Sequence, residues 1–92
     1  MTYNYTVALL KELDGRYTVV VPALPGCYTY GATVEQALDR AREAIQCHVT
    51  ALLVDGDPIP ADPSDFTIEM DEATEVMVKH VVAVVEEALI PA

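Results

Sequence analysis

The sequence predicts an α+β fold, a two-layer sandwich in which one antiparallel sheet carries one helix on one face, in the order β-β-β-α-β. Three observations predict it. The N-terminal residues alternate between two faces around an Asp-Gly turn, residues 33–54 have the pattern of a capped amphipathic helix, and residues 75–85 are rich in valine. Because 92 residues leave room for one hydrophobic core, we expect a single domain over residues 1–92.

The first two strands are predicted as a hairpin. Residues 3–10 alternate with period two, which is typical of a strand with one face on a core. One side carries Tyr3, Tyr5, Val7 and Leu9, and the opposite side carries Asn4, Thr6, Ala8 and Leu10. Asp14 and Gly15 form a strong turn signal, and residues 16–21 (RYTVVV) follow as the second strand.

A short third strand is predicted at residues 27–30. Pro22 ends the second strand because it has no N–H for the ladder. Pro25 and Gly26 then provide a turn, with the proline fixing φ and the glycine free to take a positive φ. After the strand, Gly31 is expected to let the backbone turn into the helix.

The helix at residues 33–54 has start and stop signals at its two ends. Thr33 is a good N-cap, and Gln36 three residues later completes a capping box. Asp55 and Gly56 end the helix, with the glycine suited to the left-handed position after the last turn. The apolar stripe predicted to face the sheet consists of Val34, Ala37, Leu38, Ala41, Ile45, His48, Val49 and Leu52.

For the C-terminal third, the sequence pattern fits more than one secondary structure. Residues 55–65 contain three prolines and several acids, which predicts an extended, solvated linker. A final strand is expected at residues 75–85, since the sheet has an edge to fill. A short strand at residues 66–70 could precede it. The apolar spacing over residues 73–89 also fits a helix, and residues 86–92 (EEALIPA) read as a frayed tail.

Charge limits the classes of partner. The chain has fifteen acidic and five basic residues, for a net charge of −10. Direct binding to nucleic acid or to an anionic membrane is therefore not expected, because phosphate neutralisation needs Lys and Arg. A basic protein is the more natural partner, although acidity can also serve solubility alone. With neither a secretory signal nor a membrane span in the sequence, we expect a cytoplasmic protein with reduced thiols.

No catalytic or metal site is predicted. The candidate nucleophiles are Cys27 and Cys47, and the candidate bases are His48 and His80. Cys47 and His48 are neighbours on the helix and point about 100° apart, so they do not face each other. These four residues also lack metal-ligand spacing, and the later acids lack a calcium-loop pattern. We expect no cofactor.

A partner-binding surface is the more promising hypothesis. Tyrosine brings a large contact area and a hydroxyl group at low entropy cost, and acidic side chains complement a basic protein. The candidate contact residues are Tyr28, Tyr30, Asp55, Asp57, Asp62 and Asp65. The alternative is ordinary sheet packing for the tyrosines and a solvated surface for the acids.

Four motifs in order suggest a family. They are P-A-L-P-G-C at 22–27, G-A-T at 31–33, E-Q-A-L at 35–38 and D-G-D-P-I-P at 55–60. Together they make residues 3–60 resemble the HicB-like antitoxins. The resemblance implies a partial RNase H-like fold without a working active site, in a non-enzymatic protein that binds and masks a small basic ribonuclease toxin of the HicA type.

The resemblance is incomplete at the C-terminus. Many family members append a DNA-binding module, whereas this sequence has no basic helix after the linker, so we expect no direct DNA binding by this chain. Self-association into a dimer or tetramer is expected for so small a domain. Two other functions stay open: an orphan homo-oligomeric structural or small-ligand-binding domain of the same fold, and, more remotely, a metal-dependent nuclease.

Overall fold

A computed structural model describes residues 1–63, 65–68 and 75–86. These residues form four strands and one helix in the predicted order β-β-β-α-β. The elements are β1 (Thr2–Lys11), β2 (Tyr17–Val20), β3 (Tyr28–Gly31), α1 (Val34–Asp55) and β4 (Glu75–Val84).

The four strands form one antiparallel sheet in the order β3-β2-β1-β4. β1 is central, and its Leu9 is paired with Val19 of β2 on one side and with Met77 of β4 on the other. The N-terminal hairpin is therefore formed as predicted. The last strand returns beside the first, so the sheet has β3 and β4 at its two edges.

The core lies between α1 and one face of the sheet, which confirms the two-layer α+β sandwich. On β1 this face presents Tyr5, Val7 and Leu9, all buried. The helix side chains that are fully buried against the sheet are Ala37, Ala41, Ile45 and Val49. His48, which the spacing placed on the apolar stripe, is only half-buried and is not part of this core cluster.

Both predicted helix caps are present. The Thr33 Oγ1 accepts a hydrogen bond from the Gln36 N–H at 3.1 Å, and the Gln36 Oε1 accepts one from the Ala32 N–H at 2.6 Å. At the other end Gly56 has φ 73° and its N–H caps the last turn at Leu53. Among the described residues no helix is long and apolar enough to cross a membrane.

Gly31 lies where the chain passes from β3 into α1. It does not take a positive φ, unlike Gly15, Gly26 and Gly56. A Cβ on Gly31 would instead lie 2.5 Å from the backbone nitrogen of Ala37 and 2.6 Å from its Cα. The position requires glycine because the end of β3 touches the backbone of the first turn of α1.

The structure decides between the two predictions for the last segment. Residues 75–84 form a strand, so a helix over this part is wrong. Residues 66–68 are not in a strand, which makes the possible short strand wrong where it is described. The rest of that strand and of the predicted C-terminal tail fall on residues 69–74 and 87–92, which lie outside the described residues.

Candidate functional site

The sheet has a second face, opposite the helix, which we call the outer face. Alternation along the paired strands assigns its residues. They are Thr2, Asn4, Thr6, Ala8 and Leu10 on β1, Thr18 and Val20 on β2, Tyr28 and Tyr30 on β3, and Val76, Val78, His80, Val82 and Val84 on β4. Tyr28 and Tyr30 are 60% and 65% exposed. The two tyrosines therefore stand next to each other on the edge strand without being covered.

Tyr28 borders a cavity of about 320 Å³ at one end of β3. Its other walls come from the Pro22–Gly26 turn and from Phe66 and Thr67, which follow the exposed Asp65 along the chain. The cavity thus brings Phe66 and Thr67 beside the first tyrosine, a proximity that nothing local in the sequence indicates.

Tyr30 borders a second cavity, of about 300 Å³, together with the end of the N-terminal hairpin. Asp14 there forms an ion pair with Arg16 at 2.7 Å, and the hydrogen bond from Arg16 lowers the pKa of the Asp14 carboxyl. Glu12 accepts a hydrogen bond from the Thr18 hydroxyl at 3.0 Å. Glu12 is therefore an acidic group beside Tyr30 that sequence reasoning missed, because only the pairing of β1, β2 and β3 brings it there.

Asp62 is tied to the central strand. Its Oδ1 accepts from the Thr6 N–H at 2.9 Å and its Oδ2 accepts from the Thr6 hydroxyl at 2.7 Å. β2 pairs with β1 only from Ala8 onwards, so the Thr6 N–H has no strand partner there, and the carboxylate satisfies it. The Thr6 hydroxyl also lies 3.3 Å from Nδ1 of His80.

A second bond fixes the same segment. The Tyr5 hydroxyl donates to the carbonyl oxygen of Pro60 at 2.6 Å, and Ile59 packs against the core. Burial is the main cause that raises the pKa of the Tyr5 phenol, followed by the nearby Tyr3 and Asp62. Residues 57–63 have no regular secondary structure, as expected, but they are anchored to β1 and are not simply a solvated linker.

The six predicted contact residues are therefore only partly brought together. Tyr28 and Tyr30 share the outer face, Asp62 binds Thr6 on that face, and exposed Asp65 precedes a residue of the Tyr28 cavity. Asp55 and Asp57 are exposed at the C-terminal end of α1. Among the described residues, no hydrogen bond or ion pair joins these last two to the tyrosines.

The two thiols lie near each other but in different environments. Cys27 is buried, and burial raises the pKa of its thiol, whereas Cys47 is exposed on the helix. In the part of the chain that the structure describes, no three His, Cys, Asp or Glu side chains come close enough to hold a metal ion. The outer face thus presents contact area and charge.

Removal of the Asp62 carboxylate is expected to destabilise the protein. Asp62→Ala leaves the Thr6 N–H, on a residue that is 5% exposed, without its acceptor, which costs about 1–3 kcal/mol. Asp62→Asn keeps one oxygen acceptor and should lose less. Asp57→Ala, at an exposed side chain, is the matched control and should stay within about 0.5 kcal/mol of the parent. Urea unfolding followed by circular dichroism measures all three, and equal midpoints for the Asp62→Ala and Asp57→Ala variants would contradict the anchor.

Comparison with known proteins agrees with this architecture. Residues 5–90 match the family model described as a HicB-like antitoxin of bacterial toxin-antitoxin systems. A UPF0150 protein of Synechocystis is 43% identical over 60 residues, which cover 65% of this chain and 76% of the relative.

Two solved structures are similar as well. A chain of a toxin-antitoxin complex from Streptococcus pneumoniae superimposes with a TM-score of 0.74 at 18% identity, covering 90% of this chain and 69% of that one, which is a likeness of fold. A chain of a HicA3 and HicB3 toxin-antitoxin complex superimposes with a TM-score of 0.62 at 25% identity, covering 86% of this chain and 95% of that one.

Proposed function

The chain belongs to the HicB-like antitoxin family of bacterial toxin-antitoxin systems, and from this premise we propose that it binds a HicA-type ribonuclease toxin and masks its active site, without catalysis of its own. Similarity to a chain of a HicA3 and HicB3 complex supports a toxin as the partner. The observation that carries the proposal for this chain is the pair of uncovered tyrosines on the outer face.

The exposure of Tyr28 and Tyr30 favours contact with a partner over internal packing. Both side chains project from the same face of β3, two residues apart, and each is more than half exposed. Tyrosine side chains of this kind are frequent energetic centres of protein interfaces, because a rigid ring and a hydroxyl group are buried together at low entropy cost. We therefore assign the two rings the central place in the contact.

Charge around the tyrosines supports a basic partner. Glu12 lies beside Tyr30, and Asp65 precedes Phe66 in the wall of the Tyr28 cavity. The whole chain carries a net charge of −10, which attracts a basic toxin from a distance and speeds its association. In this proposal, Asp55 and Asp57 at the helix end contribute to the long-range attraction and do not contact the toxin directly.

A binding and inhibition experiment tests the proposal. The cognate HicA-type toxin would be purified, and its cleavage of RNA would be measured with increasing amounts of the antitoxin. We expect cleavage to stop at a fixed stoichiometry, and the association rate to fall as ionic strength rises. The antitoxin alone, incubated with RNA and Mg²⁺, should leave the RNA intact.

Other outcomes would exclude the proposal. Undiminished toxin activity in the presence of excess antitoxin, with no complex detected by light scattering, would contradict it and favour an orphan domain. RNA cleavage by the chain alone would contradict the non-enzymatic assignment.

A further inference from the structure

The outer edge of β4 is only partly covered. In an antiparallel pair, successive residues direct their backbone N–H and C=O groups alternately toward the neighbouring strand and away from it. Val85 and Met1 exchange two hydrogen bonds, at 2.8 and 3.0 Å, so the odd-numbered residues of β4 bond to β1. The backbone groups of the even-numbered residues therefore point to the free edge of the sheet.

The helix covers half of this edge. The Arg42 Nε–H donates to the carbonyl oxygen of Val82 at 3.1 Å, and the Gln46 amide donates to that of Val84 at 3.0 Å. No hydrogen bond between described residues reaches the outward backbone groups at residues 76–80. Within the described residues, the stretch at 75–80 is therefore a strand edge without a backbone partner, and such edges pair readily with another strand.

We propose that residues 75–79 of this stretch pair antiparallel with residues 75–79 of a second copy of the chain, about a two-fold axis at Met77. Val76 then exchanges backbone hydrogen bonds with Val78 of the partner subunit. By symmetry, Val78 exchanges the same hydrogen bonds with Val76 of the partner subunit. Glu75 lies opposite Lys79 of the partner subunit, which places an opposite-charge pair on each side of the axis. The two outer faces join into one continuous surface, on which Val78, 52% exposed, meets Val76 of the partner subunit.

Charge favours a second copy as the occupant of this edge. The stretch carries one acid, Glu75, and one base, Lys79, in a chain whose net charge is −10, so two copies meet here without the repulsion of like charges that the acidic surface would impose elsewhere. A basic toxin would meet Lys79 at this edge and only one acid, Glu75, to offset it. The register is also specified by charge, because an axis at Lys79 would place two lysines opposite each other and an axis at Val78 would leave Lys79 opposite methionine.

Proline substitution at the edge tests the pairing. Val78→Pro removes an N–H that bonds only in the dimer, and proline is tolerated on an edge strand where its nitrogen faces outward. We expect the dimer dissociation constant, measured by analytical ultracentrifugation without toxin, to rise at least tenfold. Val84→Pro is the matched control, since its nitrogen also faces the edge but lies beyond the paired stretch, and its dissociation constant should match that of the parent. A parent chain that stays monomeric at all concentrations would overturn the proposal, as would equal effects of the two prolines.

Cross-linking tests the register without a variant that strains the backbone. Met77→Cys in a Cys47→Ala background brings two thiols together across the axis, within the distance that a disulfide spans. Mild oxidation should give a covalent dimer in high yield. A covalent dimer from Val78→Cys and none from Met77→Cys would overturn the proposed axis. Loss of toxin binding in the Val78→Pro variant with unchanged self-association would instead assign this edge to the toxin. None of these readouts of self-association depends on the proposed function.

Discussion

Gly31→Ala is expected to destabilise the fold by about 3 kcal/mol, which is at the upper end of what added volume costs in a packed interior. The new Cβ would lie 2.5 Å from the backbone nitrogen of Ala37, and these backbone atoms cannot rotate away as a flexible side chain can. Relief of the clash requires α1 to move away from β3 at the point where the strand enters the helix. Urea unfolding measures the effect as a lower midpoint at an unchanged slope.

Gly15→Ala is the informative control for this substitution. Gly15 has φ +88° and open space around its missing Cβ, so alanine there costs only the backbone strain of a left-handed conformation, about 1–2 kcal/mol. Gly31 does not have a positive φ, so its cost comes from contact alone. If Gly31→Ala unfolds at the same urea concentration as the parent, the close approach of helix and strand does not limit the fold.

The elements that local patterns specify were predictable. Asp14 and Gly15 place a turn where the chain must reverse, and Thr33 with Gln36 satisfies backbone groups at the helix start. Each of these signals involves residues that lie within four positions of each other, so it can be recognised from the sequence alone. The same holds for the left-handed Gly56 at the helix end.

The contacts that join distant residues were not predictable. Asp62 was assigned to a solvated acidic linker, yet it binds Thr6, because β2 is too short to cover that part of β1. The length and register of the strands determine the contact between Asp62 and Thr6, and neither can be deduced from the residues around Asp62. The close approach of Gly31 to Ala37 was not predictable for the same reason, since it depends on how the helix packs on the sheet. The acids predicted to act together are likewise divided by the fold between the helix end and the outer face.

Removal of the two exposed rings should cost the most binding energy. Under the proposed function, Tyr28→Ala and Tyr30→Ala are each expected to weaken toxin binding by about 2 kcal/mol, or roughly 30-fold, as for truncation of a tyrosine at the centre of an interface. Stability should change little, since the side chains are 60% and 65% exposed. Isothermal titration calorimetry with the toxin gives the affinity, and urea unfolding of the free antitoxin checks the fold.

The same face offers a matched control for these variants at its other edge. Val82 and Val84 also stand two residues apart on an edge strand and are 49% exposed each, so the double alanine variant removes exposed apolar groups without touching β3. Toxin affinity should then stay within about threefold of the parent, because exposed residues outside a contact contribute little to it.

Tyr28→Phe and Tyr30→Phe separate the contribution of the ring from that of the hydroxyl group. Retained affinity assigns the contact to the ring, and lost affinity assigns it to a hydrogen bond. Full affinity in the Tyr28→Ala and Tyr30→Ala double variant would remove the tyrosines from the contact, and an equal loss from the valine variant would place the toxin at β4 instead.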